Sequence, residues 1–211
     1  MNKGKFIVVE GIEGAGKSTI CNVIVDILSE KKIKSIITRE PGGTPLAEQL
    51  RKLIKQGVEG DKLIPKAELL MIYAARIQLL DTVIQPTLAK GIWVVGDRHN
   101  LSSYVYQGAG RQIELNLIKT LSHQIIGDFK PDLTIYLDVT PEIGITRVCK
   151  RGSLDLIEQE SLCFFKRVRE LYLHIVANDN SMRLIDATQP LQQVITLLRI
   201  TLINWLSGQI I

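Results

Sequence analysis

Residues 11–18 read Gly-Ile-Glu-Gly-Ala-Gly-Lys-Ser, a spacing that brings glycines, a lysine and a hydroxyl together around phosphate. Gly11, Gly14 and Gly16 admit positive φ and let the backbone approach a ligand closely. The N–H groups between them, on Ile12, Glu13 and Ala15, can turn inward as an anion nest at the positive end of a helix. Lys17 supplies charge for the outer phosphates, and Ser18, followed by Thr19, offers a hydroxyl to Mg²⁺. The flanks agree. Phe6, Ile7, Val8 and Val9 form an apolar β-branched run, and Ile20, Val23, Ile24, Ile27 and Leu28 recur at helical spacing. Strand, glycine loop and helix in that order describe a cradle for a nucleoside triphosphate.

Other residues could act with this loop. Asp97 follows an apolar run and can hold Mg²⁺ through water, while Arg98 can fork onto phosphate oxygens; a salt bridge at a strand end is the plainer alternative. Asp138 also follows an apolar strand and is a second candidate for the metal-side aspartate, ranked lower because Thr140-Pro141 suits it to a helix entry. Arg76 sits in the apolar stretch 69–80, where an unpaired guanidinium is costly, so either a planar base or an internal carboxylate must meet it. Arg147, Lys150 and Arg151 precede Gly152. They suit a mobile basic lid over phosphates as well as a solvated helix end.

The elements that must position these residues alternate strand and helix. Strands are expected at 6–9, 34–38, 92–95, 133–137 and 183–185. Helices are expected at 46–55, 66–89 (ended or kinked by Pro86), 115–126, from Thr140-Pro141, 156–177 and from Pro190. In the last helix Val194, Leu197, Leu198, Leu202 and Trp205 share a face. Five apolar strands separated by helices imply an α/β three-layer sandwich with a five-stranded parallel sheet flanked by helices. We expect a single domain over 1–211, with a lid near 147–158. Ligands of such sheets sit at the carboxyl ends of the strands, where Glu10 to Ser18, Arg39 with Glu40, Asp97 with Arg98, Asp138 and Asp186 all fall.

Composition narrows the partners. Of 211 residues, 45% are hydrophobic and 23% charged, as in an ordinary globular protein, and no apolar run is long enough to span a membrane. Cys21, Cys149 and Cys163 lack metal-ligand spacing and suit free thiols in a reducing cytoplasm, and no targeting peptide is expected. The net charge is +4, but aromatics are only 5% and do not interleave with basic residues, so nucleic acid is not the expected partner. Grouping Lys17, Arg39, Arg76, Arg98, Arg111, Arg147, Lys150 and Arg151 at one polyphosphate site accounts for the excess.

Seven motifs in order resemble the bacterial thymidylate kinase family. They are residues 10–18, Thr38-Arg-Glu-Pro-Gly-Gly-Thr44, Tyr73-Ala-Ala-Arg76, Gly96-Asp-Arg-His99, Ser102 with Tyr106-Gln-Gly108, the run 131–138, and Asp186-Ala-Thr188. The resemblance implies a P-loop nucleoside triphosphate hydrolase-type fold, ATP-dependent and Mg²⁺-requiring phosphorylation of dTMP to dTDP, and a homodimer. It implies that residues 11–19 cradle ATP, with Arg147 on adenine and Asp186, Ala187 and Thr188 close by. Glu13 then reaches the 3′-hydroxyl of dTMP, Arg39 and Arg98 clamp its phosphate, and Arg76 meets thymine. Ser102, Tyr106 and Gln107 line the pocket from a loop. Ser18 and Asp97 organise the metal, and Lys17, Arg98 and Arg151 neutralise the transferred charge.

One family type carries an arginine in the P-loop, and the other supplies basic residues from the lid. With Glu13 in the loop and Lys150 and Arg151 in the lid, this chain resembles the second. It departs from the family at Ile72, where a stacking Phe is common. Losing that ring should weaken dTMP binding by ~1 kcal/mol. A kinase for another pyrimidine monophosphate, dUMP or CMP, is the nearest alternative. A GTPase switch would need an Asn-Lys-x-Asp motif, and a partition-type ATPase an early P-loop lysine; the sequence has neither.

Overall fold

The computed structural model describes residues 3–208. The ends of the expected 1–211 domain, residues 1–2 and 209–211, lie outside that range. Five strands form one all-parallel sheet in the order β2-β3-β1-β4-β5. They are β1 (Phe6–Glu10), β2 (Ser35–Arg39), β3 (Trp93–Asp97), β4 (Leu133–Asp138) and β5 (Met182–Asp186). The period of two is visible in the packing of central β1. Ile7 and Val9 enter one core and Phe6 and Val8 another, so helices cover both faces.

The helices are α1 (Lys17–Glu30), α2 (Pro45–Gln56), α3 (Pro65–Leu79), α4 (Gln85–Ala89), α5 (Asn100–Ser103), α6 (Leu115–Ile126), α7 (Pro141–Cys149), α8 (Leu162–Ala177) and α9 (Leu191–Ser207). The register sets the site. Val9 pairs with Asp97, Arg39 with Asp97, Glu10 with Tyr136, and Asp138 with Asp186. The acidic and basic strand ends therefore form one row along the carboxyl edge.

Several expectations change. Pro86 does not end the helix begun by α3. The chain passes through a wide turn at Leu80–Ile84, where Gln85 N–H reaches back to the Leu80 carbonyl, and Pro86 falls in the first turn of α4. Widening the turn before a proline accommodates its missing N–H and its ring.

The helix expected from 156 starts at Leu162, because Ser161 caps it by accepting the Phe164 N–H at 3.2 Å. Residues 155–158 instead form a turn in which the Asp155 carboxylate accepts the N–H groups of Ile157 and Glu158. Thr140 occupies the entry position of α7 with Pro141 next, but its side chain makes no capping bond. On α9, Val194, Leu198 and Leu202 are buried and Trp205 packs edge-on against Trp93, whereas Leu197 faces outward.

The segment carrying Ser102, Tyr106 and Gln107, expected as a loop, is helical over 100–110. After α5 it widens over Tyr104–Gly110, and Arg111 N–H bonds the Tyr106 carbonyl five residues back. Its last carbonyls are collected by Arg167 of α8, from Nε to Ala109 at 3.0 Å and from Nη2 to Gly110 at 2.7 Å. Gly110 has no room for a Cβ against the Phe164 ring. Tertiary contacts from α8 thus impose a helix on a Gly- and aromatic-rich stretch that has little propensity for one.

Candidate active site

The phosphate loop leaves β1 and enters α1 through Gly14 at φ 76° and Gly16 at φ 90°. Gly14 also lies so close to the Gly144 carbonyl of α7 that a Cβ would collide with it. The loop is therefore clasped to α7, whose far end begins the lid. Lys17 Nζ donates to the carbonyls of Gly11 and Ile12, each at 3.0 Å. Burial, followed by the facing Arg98 guanidinium, lowers the Lys17 ammonium to about 8, even though nearby carboxylates oppose the shift. A site that disfavours its own cation in this way is built for an anionic ligand. Ser18 Oγ donates to Asp97 Oδ2 at 2.8 Å, joining the first turn of α1 to the end of β3.

Asp138, the alternative aspartate, is engaged elsewhere. Arg169 grips both of its oxygens at 2.8 Å, and Tyr136 donates to it at 3.0 Å. It forms a structural ion pair between β4 and α8, which leaves Asp97 as the metal-side candidate. Hydroxyl and carboxylate oxygens are the donors a hard cation takes, and Mg²⁺ ordinarily completes its shell with water and phosphate. The Ser18–Asp97 pair fits that pattern. Among the described residues no cluster of three or more His, Cys, Asp or Glu would cage an ion without a substrate.

Beside the loop, Arg98 occupies the left-handed region at φ 74°, its N–H bonded to the Val9 carbonyl at 3.0 Å. A non-glycine residue held there is strained, and such strain is concentrated at functional sites. Its guanidinium donates to Glu13 Oε1 at 2.6 Å, to the Tyr106 hydroxyl at 2.9 Å and to Ser102 Oγ at 3.0 Å, and lies over the Tyr106 ring. Burial pushes the Tyr106 hydroxyl well up, and Glu13 adds to that, so it stays a donor to Glu13 Oε2 at 2.6 Å. Beneath them fully buried Glu10 accepts from His99 N–H, Ser102 Oγ and the Tyr172 hydroxyl at 2.9, 2.7 and 2.6 Å.

Arg76 meets the internal carboxylate. Nε lies 2.6 Å from Glu40 Oε2, with both side chains buried, and Glu40 Oε1 is 2.7 Å from His99 Nδ1. Burial alone would raise Glu40, but His99 and Arg76 more than offset it and hold the carboxyl at about 2. The terminal nitrogens of Arg76 have only long contacts, 3.4 Å to Asn100 Oδ1 and to the His99 carbonyl. Arg76 also lines the cavity, together with Ile72 and Gln107.

That cavity, of about 430 Å³, runs from Lys17 and Ser18 past Arg39, Arg98 and Tyr106 to Arg76 and Gln107, and is closed by Arg147 and Arg151. Arg39 is paired with Glu48 at 3.0 Å, and Glu48 also accepts the Gly43 N–H. Arg147 Nη1 bonds the carbonyls of Ala187 at 2.9 Å and Gly14 at 3.3 Å, tying the 186–188 loop to the P-loop. Asp186 accepts the N–H and hydroxyl of Thr188. Arg151 is paired with Glu158.

Two members of the expected basic group lie apart. Lys150 is exposed and does not line the cavity, and Arg111 is held between Glu68 and Glu160. The other six line the cavity, joined there by Lys55 and Arg51, so the basic residues at this site still outnumber the net excess of four. Arg51, not expected, does line the cavity, its Nη1 donating to the Pro41 carbonyl at 2.7 Å. The signal was present: Arg51 lies four residues after Ala47 and three before Ile54, the two buried residues of α2, and so on the inner face of that helix. Lys55 of the same helix pairs with Asp155 at 2.6 Å, and its carbonyl accepts the Leu156 N–H, latching the lid to α2.

A phosphate loop at the central strand, a hydroxyl–carboxylate pair beside it and a second chamber walled by arginines define a P-loop phosphotransferase with a phosphorylated acceptor. The family model described as thymidylate kinase matches residues 9–197, and the chain belongs to that family. Its reaction is transfer of the γ-phosphoryl group of ATP to dTMP, giving dTDP for dTTP synthesis.

Proposed function

We propose that the two ends of the cavity divide the substrates, with the P-loop holding ATP and the Arg98–Arg76 chamber holding dTMP. The observation that supports this division is the Glu13–Arg98–Tyr106 cluster, in which a P-loop side chain bonds residues beyond the loop. The dTMP phosphate is held by Arg39, Arg51 and Arg98, its 3′-hydroxyl by Glu13, and its base by Arg76, Gln107 and Ile72, with Ser102 and Tyr106 as the wall. On the donor side residues 11–19 cradle the triphosphate. Arg147 and the 186–188 loop border adenine, and Lys150 belongs to the lid without touching the cavity.

The phosphate oxygen of dTMP attacks the γ-phosphorus in line, and the bond to the β–γ bridging oxygen breaks as ADP leaves. A phosphate monoester is largely ionised near neutral pH, so no general base is needed. Lys17, Arg98 and Arg151 neutralise the charge that develops on the transferred group. Mg²⁺, when bound at Ser18 and Asp97 with ATP, neutralises charge on the β- and γ-phosphates. The chain belongs to the type with basic residues in the lid, as known from bacteria, because Glu13 fills the P-loop position and Arg151 borders the cavity from the lid.

The domain is single over 1–211 and acts in the cytoplasm; three free thiols suit that compartment, and no helix of the described residues is long and apolar enough to cross a membrane. It works as a homodimer. Leu46 and Leu53 of α2 and Leu70 of α3 are exposed, supporting a partner on that face. A coupled ADP-release assay across dTMP, dUMP, CMP, UMP, AMP and GMP tests the reading. dTMP should be the preferred acceptor, and a chain with no preference for it would sink the assignment of the chamber.

A further inference from the structure

Among the described residues the Gln107 side chain makes one hydrogen bond, and it fixes which way the amide points. Its Nε2 donates to Glu68 Oε1 at 2.7 Å. Arg111 grips the same carboxylate from the other side, Nε to Oε1 at 3.2 Å and Nη2 to Oε2 at 2.9 Å. A carboxylate held this way only accepts, so the face of Gln107 turned to Glu68 must be its NH₂. The amide oxygen takes no hydrogen bond from a described residue. It is also absent from the sealed unpartnered atoms, which are Thr38 Oγ1, His99 Nε2 and Ser103 Oγ. Gln107 itself is 2% exposed and lines the cavity, so its oxygen opens into the acceptor chamber.

Resting on the reading that the base lies against Arg76 and Gln107, we propose that Glu68 is a positioning residue for base specificity, holding Gln107 as a hydrogen-bond acceptor. The chamber then offers a donor, Arg76, beside an acceptor, Gln107. Thymine and uracil present the complement, a carbonyl at C4 and an N–H at N3. Cytosine presents the reverse, an amine at C4 and a bare N3. Its N3 would face the Gln107 oxygen with no proton between them, the kind of mismatch that discriminates most strongly. Glu68 cannot see the 5-methyl group, so it separates thymine and uracil from cytosine but not from each other. Arg111 restrains Glu68 from behind and is itself anchored by Glu160 at the end of the lid.

The test is Glu68→Gln in the full chain, with dTMP, dUMP and dCMP as acceptors. A glutamine at 68 can donate, which lets Gln107 turn its NH₂ to the base. The kcat/KM ratio of dCMP to dTMP should rise by roughly tenfold, the worth of one hydrogen bond to a buried partner. The dUMP to dTMP ratio should stay unchanged, since general damage would lower all three acceptors together. An unchanged dCMP ratio overturns the proposal.

Gln107→Leu separates this from failure of the underlying reading. If it leaves the dTMP KM unchanged, Gln107 does not meet the base and the chamber assignment falls. If it raises that KM while Glu68→Gln leaves selectivity alone, only the role of Glu68 falls. Should Glu68→Gln not fold, NMR of the wild-type Gln107 side-chain amide during a dTMP titration decides. Protected amide protons with and without dTMP are expected, and exchange as fast as in an exposed glutamine overturns the proposal.

Discussion

Glu13, in the phosphate loop, holds Arg98, at the end of β3, through a 2.6 Å ion pair that is largely closed to solvent. The phosphate loop and the end of β3 thereby share one charged contact, with Tyr106 donating to the second Glu13 oxygen. Removing the carboxylate leaves Arg98 without its ion pair and, on the proposed reading, the 3′-hydroxyl of dTMP without its partner. Glu13→Gln should lower kcat/KM for dTMP by at least about tenfold, the scale of a hydrogen bond to a charged group, and shift the ATP KM by less than about twofold. Steady-state kinetics with each substrate varied checks this. Equal losses for both substrates would mean that Glu13 serves the P-loop alone.

Arg51 should matter to dTMP and little to ATP. Burial pulls its guanidinium pKa down, and Arg39 and Arg98 add to this, so three arginines crowd a space that wants an anion. Arg51→Ala should raise the dTMP KM by roughly tenfold, and Arg51→Lys should recover only part, because an ammonium cannot fork onto two phosphate oxygens. Isothermal titration with dTMP is the direct measurement, and unaltered affinity in Arg51→Ala would remove Arg51 from the clamp.

Strand-end residues were legible in the sequence because a parallel sheet delivers its carboxyl ends to one edge, whatever the side chains between them do. That logic put Glu10, Arg39, Asp97, Arg98 and Asp186 on one edge, where Arg39, Asp97 and Arg98 line the cavity, and it could not foresee that Asp138 is paired with Arg169, 31 residues on in α8. Residues reaching the chamber from helix faces were harder to see. Arg51 is recognised only once α2 is oriented, and the Arg76–Glu40 pair spans 36 residues with no local signal. The 100–110 helix was invisible for a different reason. Its conformation is set by Arg167 and Phe164 of α8, against its own propensities, so no window of sequence around it carries the information.

Ile72 lies in the cavity wall, 7% exposed, and offers an aliphatic surface there. Ile72→Phe should lower the dTMP KM several-fold, in line with the ~1 kcal/mol that aromatic geometry adds. A KM that is unchanged or higher would mean that the pocket has adapted to the smaller side chain.

Acid should weaken the fold through Glu40. Its folded pKa, about 2, lies below the ordinary 4.5, so between these values the unfolded chain binds more protons than the native one. The stabilisation is present above pH 4.5 and is lost as pH falls towards 2. Glu40→Gln removes the titrating group and leaves Arg76 and His99 less well paired. It should be less stable than wild type at pH 7 and show a flatter decline across that window. Urea midpoints at several pH values between 2 and 7 check this, and a parallel decline in both proteins would assign the acid sensitivity elsewhere.

Of the three residues expected to neutralise the transferred charge, Lys17, Arg98 and Arg151, Arg151 is the most exposed. Its side chain is 66% exposed and paired with Glu158, yet it borders the cavity from the lid. Arg151 itself lies mostly in solvent, so moving it to a phosphate costs it little, while Glu158, 8% exposed, keeps the Asp155 N–H as a partner. Its contribution should then lie in the transition state, where the transferred group carries the charge to be matched. Arg151→Ala should lower kcat by at least about tenfold while the ATP KM moves less, and Glu158→Gln, which frees Arg151 and keeps an oxygen that can accept the Asp155 N–H, should leave kcat within about twofold. Single-turnover rates at saturating ATP and dTMP separate these outcomes from product release. If Arg151→Ala instead raises the ATP KM with kcat preserved, the lid arginine binds nucleotide and Lys17 with Arg98 carries the charge of the transferred group.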